Sequence, residues 1–124
     1  MTFKRKKFGE AGEALAVQYL KGRKYRILET NFRTPSGEID IVAEQGGVLV
    51  FVEVKSRAGG EYGSPLSAVN TAKQKKLVQM AQRFRARHNL WDQDCRFDVV
   101  AVSGEPEDPA TWQVELVPNA FQWK

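Results

Sequence analysis

Two runs of this chain, Gly37-Glu38-Ile39-Asp40-Ile41-Val42 and Val50-Phe51-Val52-Glu53-Val54-Lys55, are apolar and β-prone apart from the charges set inside them. Such segments fold as strands that are half or wholly buried. A carboxylate inside a buried strand costs free energy unless it is paired or meets a cation. Two carboxylates and one ammonium on neighbouring strands therefore point to a metal-dependent site that acts on phosphates.

The surrounding pattern places those strands in an α/β fold. Residues 8–21 read as a helix, rich in Ala and Leu, with Ala11, Leu15 and Leu20 at helical spacing and Gly22 as its stop. Strands are expected at residues 25–32, 38–43 and 48–56, joined by the turn signals Thr34-Pro35-Ser36-Gly37 and Gln45-Gly46-Gly47. Turns this short predict an antiparallel meander. Residues 58–66 read as a loop, and a long helix follows from residue 67 or 70 to residue 88, with Leu77, Met80, Ala81 and Phe84 as its apolar stripe. Strands at residues 96–103 and 112–117 complete the order αβββαββ. The passage from the third strand through the helix to the fourth is long enough for a right-handed parallel crossover, giving a mixed sheet with helices packed on it. With 124 residues and no linker or repeat, the chain reads as a single domain, residues 1–124.

Alternation along the strands puts Glu38, Asp40 and Val42 on one face and Ile39, Ile41 and Ala43 on the other. Glu53 and Lys55 share a face with Leu49 and Phe51. In a suitable register Asp40 and Glu53 converge, and two adjacent carboxylates repel unless something positive stands between them. Mg²⁺ or Mn²⁺ favours such oxygen ligands. Lys55 would then orient the attacking water or neutralise transition-state charge. The competing reading is a cross-strand or same-face ion pair of small value. Glu-x-Lys alone is weak, but with Asp40 in the preceding strand the combination is far more specific.

Glu13 shares a helix side with Val17 and Leu20. It either points at the sheet and reaches the metal, or sits on the stripe's edge in solvent; Glu10 competes for the same role. The second helix carries Lys73, Lys75, Lys76, Arg83, Arg85 and Arg87. Its cations either follow a phosphate backbone or form an ordinary solvated face. Gly59-Gly60-Glu61-Tyr62-Gly63 is either a segment closing over substrate or a connector. Asp98 either supports the site or pairs with Arg96. The three tryptophans read as packing residues.

Charge is unevenly spread. The net charge of +4 divides into +6 over residues 1–33, +3 over 34–89 and −5 over 90–124. A basic front and middle suit a polyanionic partner, or simply a solvated surface. His88 is the one histidine, so a Zn site with several His or Cys ligands is excluded, and a Ser-His-Asp triad has little support. No phosphate-binding Gly-x-x-x-x-Gly-Lys-Ser/Thr loop is present. Acidic residues interrupt the segment after the basic start and no apolar run would span a bilayer, so a cytoplasmic location without membrane contact is expected. The lone Cys95 fits a reducing compartment.

Glu13, Asp40 and Glu53-x-Lys55 together resemble the acid-Asp-Glu-x-Lys motif of the restriction-endonuclease-like superfamily, whose αβββαβ core matches the expected order and which includes the archaeal Holliday-junction resolvases. More closely, Gly12-Glu13, Gly37-Glu38-Ile39-Asp40, Phe51-Val52-Glu53-Val54-Lys55-Ser56-Arg57 and Arg96-Phe97-Asp98-Val99-Val100 resemble the YraN-like family of bacterial proteins, over roughly residues 8–117. That family is described as uncharacterised or as candidate endonucleases. The resemblance implies a restriction-endonuclease-like mixed sheet with an extra C-terminal strand. It also implies Mg²⁺ (or Mn²⁺) held by Asp40, Glu53 and the carbonyl of Val54, with Lys55 assisting the water and Glu13 completing the acidic cluster. One departure is Ile39, where many nucleases of the superfamily carry Pro before the Asp.

The leading expectation is thus a Mg²⁺-dependent endonuclease hydrolysing DNA phosphodiester bonds, on branched or structured DNA, with Arg57, Lys73, Lys76 and Arg83 contacting the nucleic acid and a homodimer addressing two strands. The rival is a catalytically silent nucleic-acid-binding module within a larger complex.

Overall fold

The computed structural model describes residues 3–59 and 65–122. Helix α1 (Phe3–Gly22) leads into strands β1 (Arg26–Thr34), β2 (Gly37–Gln45) and β3 (Val48–Ala58). A short 3-10 turn (Pro65–Ala68) precedes helix α2 (Thr71–His88), and strands β4 (Cys95–Gly104) and β5 (Gln113–Phe121) follow. One sheet contains all five strands in the order β1-β2-β3-β4-β5. β1, β2 and β3 form the antiparallel meander, β3 and β4 run parallel, and β5 returns antiparallel to β4. This is the αβββαβ arrangement with an extra C-terminal strand. Both 3-10 turns, including Pro109–Thr111, escaped the sequence pattern because each is a single turn too short to show periodicity.

Each face of the sheet buries its own cluster. On one side, Leu77, Val78, Met80, Ala81 and Phe84 of α2 pack on Val42, Leu49, Phe51, Phe97 and Val99. The ring of Phe84 stands edge-on to Phe32 and to Phe51. On the other side, Ala16 and Leu20 of α1 cover Ile41, Ala43, Val50, Val52, Val100 and Val102. β3 and β4, covered on both faces, are consequently near-continuous valine runs. α2 is well delimited: the Asn70 side chain accepts from the Lys73 N–H, and Asn89 takes a left-handed φ of 54° at the other end.

Two details depart from simple periodicity. The buried line of α1 passes through Phe8, Gly12, Ala16 and Leu20, with Ala11 and Leu15 only half buried. Gly12 lies against Ser56 of β3, where a Cβ would collide with the serine hydroxyl, so glycine lets this helix approach the sheet closely. Ile39 packs with the α2-side cluster instead of with Ile41. The alternation breaks at Asp40. There the β2–β3 ladder ends at the pair Ile41–Val52, and Asn31, opposite Asp40 on β1, has a left-handed φ of 55°.

No helix among the described residues is long and apolar enough to cross a membrane. Of the segment considered for closing over substrate, residues 60–63 lie outside the described residues, as does Trp123. Trp112 packs edge-on against Phe8, whereas Trp91 is exposed under the guanidinium of Arg85.

Candidate metal centre

The register of β2 and β3 brings Asp40 and Glu53 together. Pairing stops at Ile41–Val52, one residue short of them, so the strands part where the two carboxylates meet. In place of a ladder bond, the backbone N–H of Val54 donates to Asp40 Oδ2 at 2.7 Å. Asp40 and Glu53 are both buried and hydrogen-bonded to one another. Burial, that hydrogen bond and the Glu53 charge push the Asp40 carboxyl up to about 9, with the Glu13 charge adding to the shift and the Val54 N–H opposing it. Without a cation, Asp40 therefore holds a proton at neutral pH.

Two further carboxylates complete the cluster. Glu13 of α1, Glu38 and Asp40 each present an oxygen, and the three oxygens lie within 4.8 Å of one another. Asn31 bridges the outer pair, donating from Nδ2 to Glu13 Oε2 at 3.3 Å and to Glu38 Oε1 at 3.1 Å. Asn is among the few side chains that tolerate the left-handed backbone needed there. Arg33 Nε meets Glu38 Oε2 at 3.2 Å. Glu13, not Glu10, is the helix residue at the site, because it adjoins Gly12 on the line where α1 touches β3.

The cluster opens into a cleft of about 530 Å³ whose other wall is the start of α2, with Asn70, Lys73, Lys76 and Met80 among its lining residues. Lys73 Nζ stands 3.2 Å from Glu53 Oε2. That oxygen is buried and accepts no aligned hydrogen bond, so the contact is one of charge and not of direction. Lys55 is exposed and engages no hydrogen bond or ion pair among the described residues. Arg57 bonds Ser67 Oγ at 3.4 Å and lines a different cavity, beside β4 and β5. Arg83 is exposed on α2, outside the lining of the cleft.

Asp98 belongs elsewhere. It is 1% exposed on the α1 face of the sheet, where it accepts from Tyr25 Oη at 2.7 Å, Arg96 Nε at 3.1 Å and the Asn119 N–H at 2.8 Å. Burial first, then the hydrogen bond to Asp98, push the Tyr25 phenol up to about 12. Arg96 Nη2 also donates to Gln45 Oε1. Of the two alternatives for Asp98, pairing with Arg96 is the one observed.

A family profile described as "Uncharacterised protein family UPF0102" matches residues 12–102. The chain belongs to this family. The YraN-like motifs noted above are its motifs, and they span the elements that build the carboxylate cluster. UPF0102 proteins resemble the chain over nearly its full length. The one from Geobacter metallireducens is 44% identical over 98% of both chains. That of Symbiobacterium thermophilum is 47% identical over 94% of this chain and 97% of its own, and that of Alkaliphilus metalliredigens 48% identical over 94% and 98%.

Within this UPF0102 chain, the donor set suits a hard divalent cation. The side-chain ligands of the cluster are all carboxylate oxygens, with no imidazole or thiolate among them, which favours Mg²⁺ or Mn²⁺ over Zn²⁺. The buried, hydrogen-bond-free Oε2 of Glu53 beside a protonated Asp40 is the arrangement a cation would relieve. Glu38 is the site residue that sequence reasoning placed on Asp40's face but did not assign. Its signal was the two-residue spacing in Gly37-Glu38-Ile39-Asp40.

Proposed function

We propose that this UPF0102 chain is a Mg²⁺- or Mn²⁺-dependent endonuclease that hydrolyses DNA phosphodiester bonds, with branched or structured DNA as its substrate. The observation that carries the reading is the meeting of Glu13, Glu38 and Asp40, with Glu53 against Asp40, where one helix and two parting strands come together and Glu38, Asp40 and Glu53 line a cleft walled by lysines. Glu13, Glu38, Asp40 and Glu53 would hold the cation, and the Val54 N–H would keep Asp40 aimed. A divalent cation held there supplies charge that stabilises the pentacovalent transition state and the leaving oxygen. Lys55, two residues beyond Glu53 on the same face of β3, would orient the attacking water. Lys73 and Lys76 at the cleft would seat the phosphate, while Arg57 and Arg83 would contact the nucleic acid farther out. Two such sites in a homodimer would address both strands of a duplex, and light scattering would report that dimer.

The test is cleavage of linear, single-stranded, flap and four-way-junction DNA with Mg²⁺ and with Mn²⁺. Asp40→Asn and Glu53→Gln run alongside as controls for contaminating nuclease. Cleavage by the unaltered protein alone is expected, and cleavage undiminished in Asp40→Asn would refute the mechanism. The exposed cations of α2, Lys75, Lys76, Arg83 and Arg87, favour a second reading, a silent nucleic-acid-binding module. It requires salt-dependent binding, no cleavage, and little change in either carboxylate variant.

A further inference from the structure

Glu53 is the only acid of the cluster whose free oxygen faces an ammonium among the described residues, and that ammonium comes from α2, not from its own strand. The side chain of Glu53 is 9% exposed and that of Lys73 43%. The carboxylate is therefore fixed in the protein, whereas the lysine reaches it from the solvent-open wall of the cleft. Lys73 stands on the first turn of α2, whose Asn70 cap pins the backbone at that residue. Its backbone position is set by the helix, and its side chain reaches Glu53 from the half-exposed side.

We propose that Lys73 is the resident counter-ion of Glu53, a positioning residue that occupies the cation's place in the metal-free protein and yields it when a divalent ion binds. The inference rests on the metal-centre reading above and adds to it an internal competitor. A buried carboxylate without a partner is costly, and the ammonium beside Glu53 offsets that cost in the empty site. The same ammonium repels an incoming divalent cation, and its displacement opposes metal binding. Lys76, one turn on and lining the same cleft, offers no equivalent contact to Glu53 among the described residues.

The experiment is titration of the purified, metal-stripped full chain with Mn²⁺ at low ionic strength and pH 8, reading free Mn²⁺ by electron paramagnetic resonance. Lys73→Met and Lys73→Gln are the test variants, two of them so that a folding failure in one leaves the other. Asp40→Asn is the control. The expected result is Mn²⁺ binding that is lost in Asp40→Asn and about fivefold tighter in the Lys73 variants. Tightening is informative because damage to the site would weaken binding instead. Equal or weaker binding in both Lys73 variants, with Asp40→Asn still abolishing it, would overturn the counter-ion role while leaving the metal centre standing. Absence of Mn²⁺ binding by the unaltered chain would overturn both.

Discussion

The Val54 N–H and Asp40 Oδ2, 2.7 Å apart, bridge the point where β2 and β3 cease to pair. A side chain takes over a strand's backbone donor, and this one bond orients a buried carboxyl that the rest of its surroundings push toward neutrality.

Replacing Asp40 should therefore stabilise the metal-free protein. Its carboxyl rises from an ordinary 3.8 to about 9 in the folded state. The folded chain binds the proton that the unfolded chain has released, so stability is full below about pH 4 and falls as pH rises toward 9. Asn can accept the Val54 N–H and donate to Glu53 without ionising. In EDTA at pH 8, urea denaturation of Asp40→Asn should show a gain of at least about 1 kcal/mol over the unaltered chain, shrinking toward pH 4. Parallel pH profiles for the two proteins would rule this out.

The contact of α1 with β3 can be tested by a double-mutant cycle. Gly12→Ala gains helix propensity of about 1 kcal/mol but drives a methyl into the Ser56 hydroxyl. Combined with Ser56→Ala, the clash disappears and the propensity gain should emerge. The expected coupling between the two changes is favourable by about 1 kcal/mol. Additive melting shifts would show that α1 does not lie as close to Ser56 as described.

Gly104 closes β4 with a φ of 144°, and a Cβ there would lie 2.7 Å from the Trp112 ring and 2.9 Å from the Thr111 carbonyl oxygen. Backbone and ring are both held, since the Trp112 indole donates to the Glu105 carbonyl. Gly104→Ala should cost about 2–4 kcal/mol through strain and overpacking. A melting temperature within a degree of the unaltered protein would contradict it.

Asp98 supports the fold and lies outside the carboxylate cluster. Asp98→Ala removes at once the acceptor used by the Tyr25 hydroxyl, Arg96 Nε and the Asn119 N–H. It should cost about 3–5 kcal/mol, and Tyr25→Phe about 1–3 kcal/mol. In contrast to Asp40→Asn, folded Tyr25→Phe should retain Mn²⁺ binding. A loss of binding in that variant would tie the buried network to the site.

The strands, both helices and the mixed sheet were legible because their signals are local. Alternation of apolar residues, the Gly- and Pro-bearing turns and the α2 stripe each act within a few residues, and binary pattern largely sets fold class. The same alternation put Asp40 and Glu53 within reach of one another. It failed at Ile39, where the strands part and Asn31 turns left-handed, a distortion no period of two can contain.

By itself, then, the sequence determined which segments become helix or strand, and that two acids and a lysine lie inside buried strands. Tertiary structure decided the rest of the centre. It chose Glu13 over Glu10 through the close approach at Gly12, added Glu38 through Asn31, and set Lys73 against Glu53 while leaving Lys55 exposed. These choices depend on where each helix axis lies over the sheet. That placement is fixed by packing between residues far apart in the chain, whereas periodicity records only which side of its own element a residue faces.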